Sequence, residues 1–169
     1  MSAQPVRKSL VVFVMWCVAS ALAQQAPANL YLTPYGSPVS VETAKKAAAV
    51  ALAEARRNNW NMAVAVVDPS GNLVYYEKMD NTQLGSAKVS VNKARSAALF
   101  KRPTKAFQDA LAGGGAGLRV LGLEAAVPVE GGVPLIVEGK IIGAIGVSGD
   151  LSEHDAQCAK AGADAVQKP

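Results

Sequence analysis

The chain has 169 residues, 50% of them apolar and 18% charged, with 17 basic and 13 acidic side chains and a formal net charge of +4. So apolar a chain is not a disordered tail, and its length suits a single core. No nucleic-acid footprint follows from so small a charge excess.

Arg7 and Lys8 precede an apolar run at 10–19, and Ala21-Leu22-Ala23 stands before Gln24 as a small-x-small cleavage site. Residues 1–23 therefore read as a secretory signal peptide. The run is shorter than the roughly 20 residues that span a bilayer, so a periplasmic or secreted protein is expected, with no membrane attachment after cleavage. Cys17 leaves with the leader, and Cys158 is then a lone thiol without a disulfide partner. Packing must hold the fold, helped by subunit association. Residues 24–40 carry three prolines and a glycine and read as an extended arm or linker. Residues 41–169 form the single domain.

Ser40 is the expected N-cap of a first helix at 41–58, with Val41, Ala44, Ala48, Ala51, Leu52 and Ala55 on one face. Glu42 in its first turn and Arg56 and Arg57 in its last suit the helix dipole. "MAVAVVD", 62–68, is an unbroken apolar run of strand length, "DPSGN" is a turn, and "LVYYEKM", 73–79, returns as a partner strand. Leu84, Ala87, Val91, Ala94 and Ala98 repeat at helical spacing, with Lys88, Asn92 and Arg95 on the opposite face. Pro103 stops this second helix near Lys101, and Thr104 caps a short third helix that ends before "GGGAG". A short strand is expected at 126–129, then strands at 132–138 and 140–147 joined at Glu138-Gly139, and a last helix at 152–166. The order α-β-β-α-α-β-β-β-α is dominated by hairpins. It predicts an α+β fold with a mainly antiparallel sheet and helices packed on it.

Each candidate site has a structural alternative beside it. "GGGAG" lacks the Gly-Lys-Ser/Thr of a phosphate loop and reads as a connector. "GVSGD", 146–150, lies where a strand gives way to a helix, so the N–H groups around Ser148 and Gly149 can receive an anion, or the glycines serve close packing. His154 is a potential metal ligand, yet Ser152 and Asp155 resemble a capping box that places it on the helix surface. With one histidine and no G-x-S-x-G, a Ser-His-Asp hydrolase has no support. In "KRPTKAF", 101–107, Lys101 and Arg102 read as a rim for an anion, or simply as residues beside a helix break.

"AVAVVDPSGNLVYYEKMD", "KARSAALFKRPT" and "PVEGGVPLIVEGKIIGAIGVSGDLSEHDAQCAKAG" together resemble the GlcG/HbpS family, the haem-degrading domain, from about residue 40 to 166. The resemblance implies a three-layer α-β-α domain with a five-stranded antiparallel sheet, profilin-like or GAF-like, and symmetric homo-oligomers. It implies haem as cofactor, with a sensor or redox protein as a possible partner. The alternatives are an enzyme of haem degradation or small hydroxy-acid chemistry, and a non-catalytic small-anion binding or interaction module. By the resemblance Thr104 is matched to an iron-contacting threonine, with Met79, Tyr75, Tyr76 and His154 as competing ligands and Lys101, Arg102 or Ser148-Gly149 near the propionates.

Overall fold

The computed structural model describes residues 30–167; the expected signal peptide lies outside them. Helix α1 runs Val41–Arg57, and its Ser40 side chain accepts the Thr43 N–H as the N-cap. Strands β1, Ala63–Val67, and β2, Leu73–Lys78, form the first hairpin. Helices α2, Ser86–Leu99, and α3, Lys105–Ala112, follow, then a 3-10 stretch at Gly115–Gly122. Strands β3, Gly132–Val137, and β4, Lys140–Ser148, form the second hairpin, and α4, Ser152–Gln167, ends the described chain.

The fold is α+β, with a four-stranded antiparallel sheet ordered β2-β1-β4-β3 among the described residues. The expected strand at 126–129 is absent. The Val127 N–H goes to the Ser96 hydroxyl at 3.1 Å, and Pro128 has no N–H to offer a ladder. Extra pairing comes from the segment read as an arm. Where β1 ends at Val67 opposite Ala144, Ile141 N–H donates to the Pro34 carbonyl at 2.9 Å. Gly36 and Val39 N–H groups donate to the Ile141 and Ile142 carbonyls, both at 2.8 Å. Tyr35 and Ile141 make one parallel bridge.

One face of the sheet carries α1 and α4. Ala44, Ala47, Ala48, Ala51 and Ala55 of α1 pack with Val64, Val66, Ile145, Val147, Cys158 and Ala159 into the main core. The other face carries α2, where Ala94, Ala97 and Ala98 meet Ala65, Val67 and Ala144. This second layer is very thin. Gly146 of β4 and its cross-strand partner Gly132 of β3 both lie directly beneath α2. A Cβ on Gly146 would stand 2.1 Å from the Ser90 carbonyl oxygen, and one on Gly132 would stand 2.3 Å from that of Lys93. Backbone meets backbone here, which only glycine allows.

Helix α2 also departs from its expected face. Leu84 is 88% exposed and precedes the helix, while Ser86, Ser90, Lys93 and Ser96 are buried. Lys88 and Arg95 point outward as read. Helix α2 covers β4, β1 and β3 but stops short of edge strand β2, leaving Leu73 and Tyr76 49% and 36% exposed. Tyr76 stands opposite Ala65 and Leu73 opposite Val67, so both belong to the α2 face of the sheet.

Candidate functional site

At the α4 start, the N–H groups read as an anion seat are present, and the anion that meets them belongs to the protein. Asp155 does not complete a capping box with Ser152, because it turns inward. Its Oδ1 accepts the Asp150 N–H at 3.3 Å and its Oδ2 accepts Lys93 Nζ at 2.6 Å. The two side chains are 4% and 0% exposed. Lys93 thus runs from α2 past Gly131, where a Cβ would stand 2.9 Å from Nζ and 2.8 Å from Asp155 Cβ, and ties the two helical layers together at one end of β4. Burial pushes the Asp155 carboxyl above its ordinary value, against the opposing pull of Lys93 and of the Asp150 and Gly149 N–H groups. Ser148 is buried and shares a 3.2 Å hydrogen bond with Ser86, and the Gly149 carbonyl accepts Gln83 Nε2. A Cβ on Gly149 would stand 2.1 Å from the Asn61 carbonyl oxygen, so this glycine is needed for packing.

The "KRPT" stretch is likewise turned to the protein itself. Lys101 Nζ donates to the Thr33 carbonyl at 2.9 Å and sits 4.4 Å from the Tyr35 ring centroid. The Arg102 guanidinium lies 4.1 Å from the Tyr31 ring and 4.9 Å from that of Phe107. Tyr35 completes the clamp by donating its hydroxyl to the Ala98 carbonyl at 2.9 Å. The cationic pair expected to meet an external anion holds the arm to the α2–α3 corner through carbonyls and aromatic faces.

Thr104 is fully buried. Its backbone is already helical and its side chain makes no cap, contrary to the expected role. Instead Oγ1 accepts the Gly132 N–H at 2.9 Å while the Thr104 N–H donates to the Gly132 carbonyl at 3.0 Å, pinning α3 to β3. Thr104→Val keeps the shape and orphans the Gly132 N–H. It should cost about 1–3 kcal/mol, read as a lower denaturation midpoint at unchanged slope.

Met79 packs partly buried against the main core. His154 stacks on Trp60 with ring centroids 3.9 Å apart and an interplanar angle of 11°. Its Nδ1 is buried without a hydrogen bond, since Asp150 Oδ1 at 3.6 Å is too far. Burial pushes the Cys158 thiol up to about 12, with Asp155 adding to the shift, so no thiolate ligand is available there near neutral pH. Among the described residues no group of three His, Cys, Asp or Glu side chains is placed to hold a metal ion.

Of the surface grooves with the size of a small-molecule site, two combine apolar walls with arginine side chains. One of about 390 Å³ runs between α3 and the 3-10 stretch beside Arg102, Phe107, Arg119 and Leu123. Here Arg102 is taken up by the Tyr31 and Phe107 rings as well as the Phe100 carbonyl, and Arg119 Nε donates to the Ala116 carbonyl. The other, about 400 Å³, is the space between α2 and the uncovered β2, with Leu73, Tyr76, Ala87 and Val91 as apolar walls and Lys88 and Arg95 at its rim. Arg95 Nε donates to the Gly71 carbonyl at 2.9 Å, which fixes the guanidinium in place. Sequence reasoning named Lys88 and Arg95 only as an outer helix face. The signal for the groove is a sheet one helix short of cover, which spacing along the chain does not reveal.

Comparison with known proteins bears on this arrangement. Residues 39–164 match the family model described as "Haem degrading protein HbpS-like". Protein GlcG of Escherichia coli strain K12 is 41% identical over 95 residues, covering 56% of this chain and 69% of GlcG. The crystal structure of HbpS is similar at a TM-score of 0.70 and 28% identity, covering 76% of this chain and 90% of HbpS. The PduOC:haem complex is similar at a TM-score of 0.69 and 25% identity, covering 76% of this chain and 95% of PduOC. With the family match spanning most of its length and the α+β fold shared with these structures, the chain belongs to the HbpS-like family.

Proposed function

We propose that this chain is an exported haem-binding protein that acts as a carrier, a scavenger or the partner of a sensor or redox protein. The observation that carries the reading is the α2–β2 groove, whose apolar walls and two rim cations suit a flat apolar ring bearing two carboxylates. Membership of a family described by haem chemistry and likeness to a protein solved with haem support the same ligand. The basic, apolar and small-residue pattern of the first 23 residues supports export to the periplasm or beyond. The exposed apolar side chains Leu118, Leu121 and Leu123 are consistent with a homo-oligomer.

Haem degradation is the second reading, favoured by the family's description. Binding takes precedence because no carboxylate or imidazole lines the groove. A small-anion module is not proposed, since Asp155 already meets the N–H groups such an anion would use. Titration of the folded protein with hemin should give a saturable, shifted Soret band. An unshifted band at all ratios, with secondary structure intact, would remove haem binding. Stable haem in the complex under reductant, oxygen and catalase would remove degradation alone.

A further inference from the structure

The haem reading leaves open which atom meets the iron, and the side chains of this structure narrow the choice. Cys158 is buried and protonated, the Thr104 hydroxyl is enclosed against Gly132, and His154 is stacked on Trp60 next to Asp150. Of the side chains that line the groove, the Tyr76 phenol is the one of a type that commonly ligates haem iron.

Of the four tyrosines, Tyr35 donates its hydroxyl to the Ala98 carbonyl, Tyr75 donates to Glu77 Oε2 at 2.7 Å, and Tyr31 lies under the Arg102 guanidinium. Among the described residues the Tyr76 hydroxyl has no hydrogen-bond partner. Tyr76 stands opposite Ala65 on the α2 face of the sheet, at the edge strand that α2 leaves uncovered, and is 36% exposed. Lys88 has no ion-pair partner among the described residues, and Arg95 is held at the rim by Gly71.

We propose that Tyr76 is the iron ligand of this protein, its phenolate oxygen binding haem iron(III) in the α2–β2 groove while Lys88 and Arg95 receive the two propionates. The proposal rests on the haem-binding reading and deepens it. On binding, the phenol proton passes to water and the iron–oxygen bond takes its place, so iron keeps its oxidation state. Tyrosine is an established haem ligand elsewhere. The rim cations add charge-assisted contacts without touching the iron.

The test uses the folded protein and hemin, with far-ultraviolet circular dichroism to confirm that each variant folds. The wild type should show a phenolate-to-iron charge-transfer band and the matching resonance Raman modes. Tyr76→Phe should lose both and weaken hemin binding by about tenfold or more, which is about 1.4 kcal/mol. Lys88→Ala and Arg95→Gln should weaken hemin several-fold with the band retained, and should leave binding of the propionate diester of hemin unchanged. Unaltered spectrum and affinity in Tyr76→Phe, or loss of the iron signature in His154→Ala or Thr104→Ala instead, would overturn the assignment while leaving haem binding intact. Failure of the wild type to shift the hemin spectrum would overturn both.

Discussion

Asp155→Ala should destabilise the fold by about 3–5 kcal/mol, because it leaves the Lys93 ammonium, fully buried among α2, β3 and α4, without a counter-charge. The loss should appear as a lower urea midpoint. The double replacement Lys93→Met with Asp155→Leu should recover most of it, since a buried pair exchanged for apolar side chains of similar volume is often neutral or stabilising. A double variant no better than Asp155→Ala would show that the pair does more than satisfy its own charges.

The pH dependence has a defined sign. Burial raises the folded-state value of Asp155 above the unfolded one, so the folded state binds more protons at this site. This contribution to stability is fully present below the unfolded value and declines as pH rises through the folded one. The stability of the wild type relative to the non-titrating Asp155→Asn should therefore grow as pH is lowered through that window. A difference that shrinks on acidification would mean that the attraction of Lys93 outweighs desolvation.

The second large effect is expected at Gly146. A single methyl here points at the Ser90 carbonyl and the Ala94 nitrogen, 2.1 and 2.4 Å from the added carbon, and neither atom can rotate away. Gly146→Ala must lift α2 from β4, at a cost near or beyond the upper end of the roughly 1–3 kcal/mol typical of overpacked cores. The Lys93–Asp155 contact spans the same gap, so the two perturbations should not be additive. Thermal unfolding of Gly146→Ala, Asp155→Ala and the pair measures the coupling. A wild-type midpoint in Gly146→Ala would contradict the backbone-to-backbone packing.

Much of this architecture is legible along the chain, because helical spacing and apolar runs report local periodicity directly. The α1 cap at Ser40 and the hairpin of β1 and β2 follow from residues within a turn or two of each other. The strand expected at 126–129 fails for a reason outside its own apolar pattern: Ser96, on another element, takes the backbone donor of Val127. The arm contributes pairing to β4 because Lys101, Arg102 and the α2 carboxyl end hold it there.

The same division applies to the candidate site. "GVSGD" truthfully announces free N–H groups at a helix start. That their anion is Asp155, paired with a lysine 62 positions away, depends on α2 and α4 meeting at one end of β4. Lys101 and Arg102 are visible as cations, whereas their commitment to the arm is a long-range contact. Tyr76 is just one of two adjacent tyrosines in the sequence; strand pleat sends Tyr75 toward the α1 side and Tyr76 toward the α2 side. What the sequence by itself determined is the family, the α+β class, the elements and the chemistry each residue can offer. Which groups are spent inside the protein and which are left facing a ligand was decided by tertiary structure alone, because burial and hydrogen-bond partners depend on segments distant along the chain.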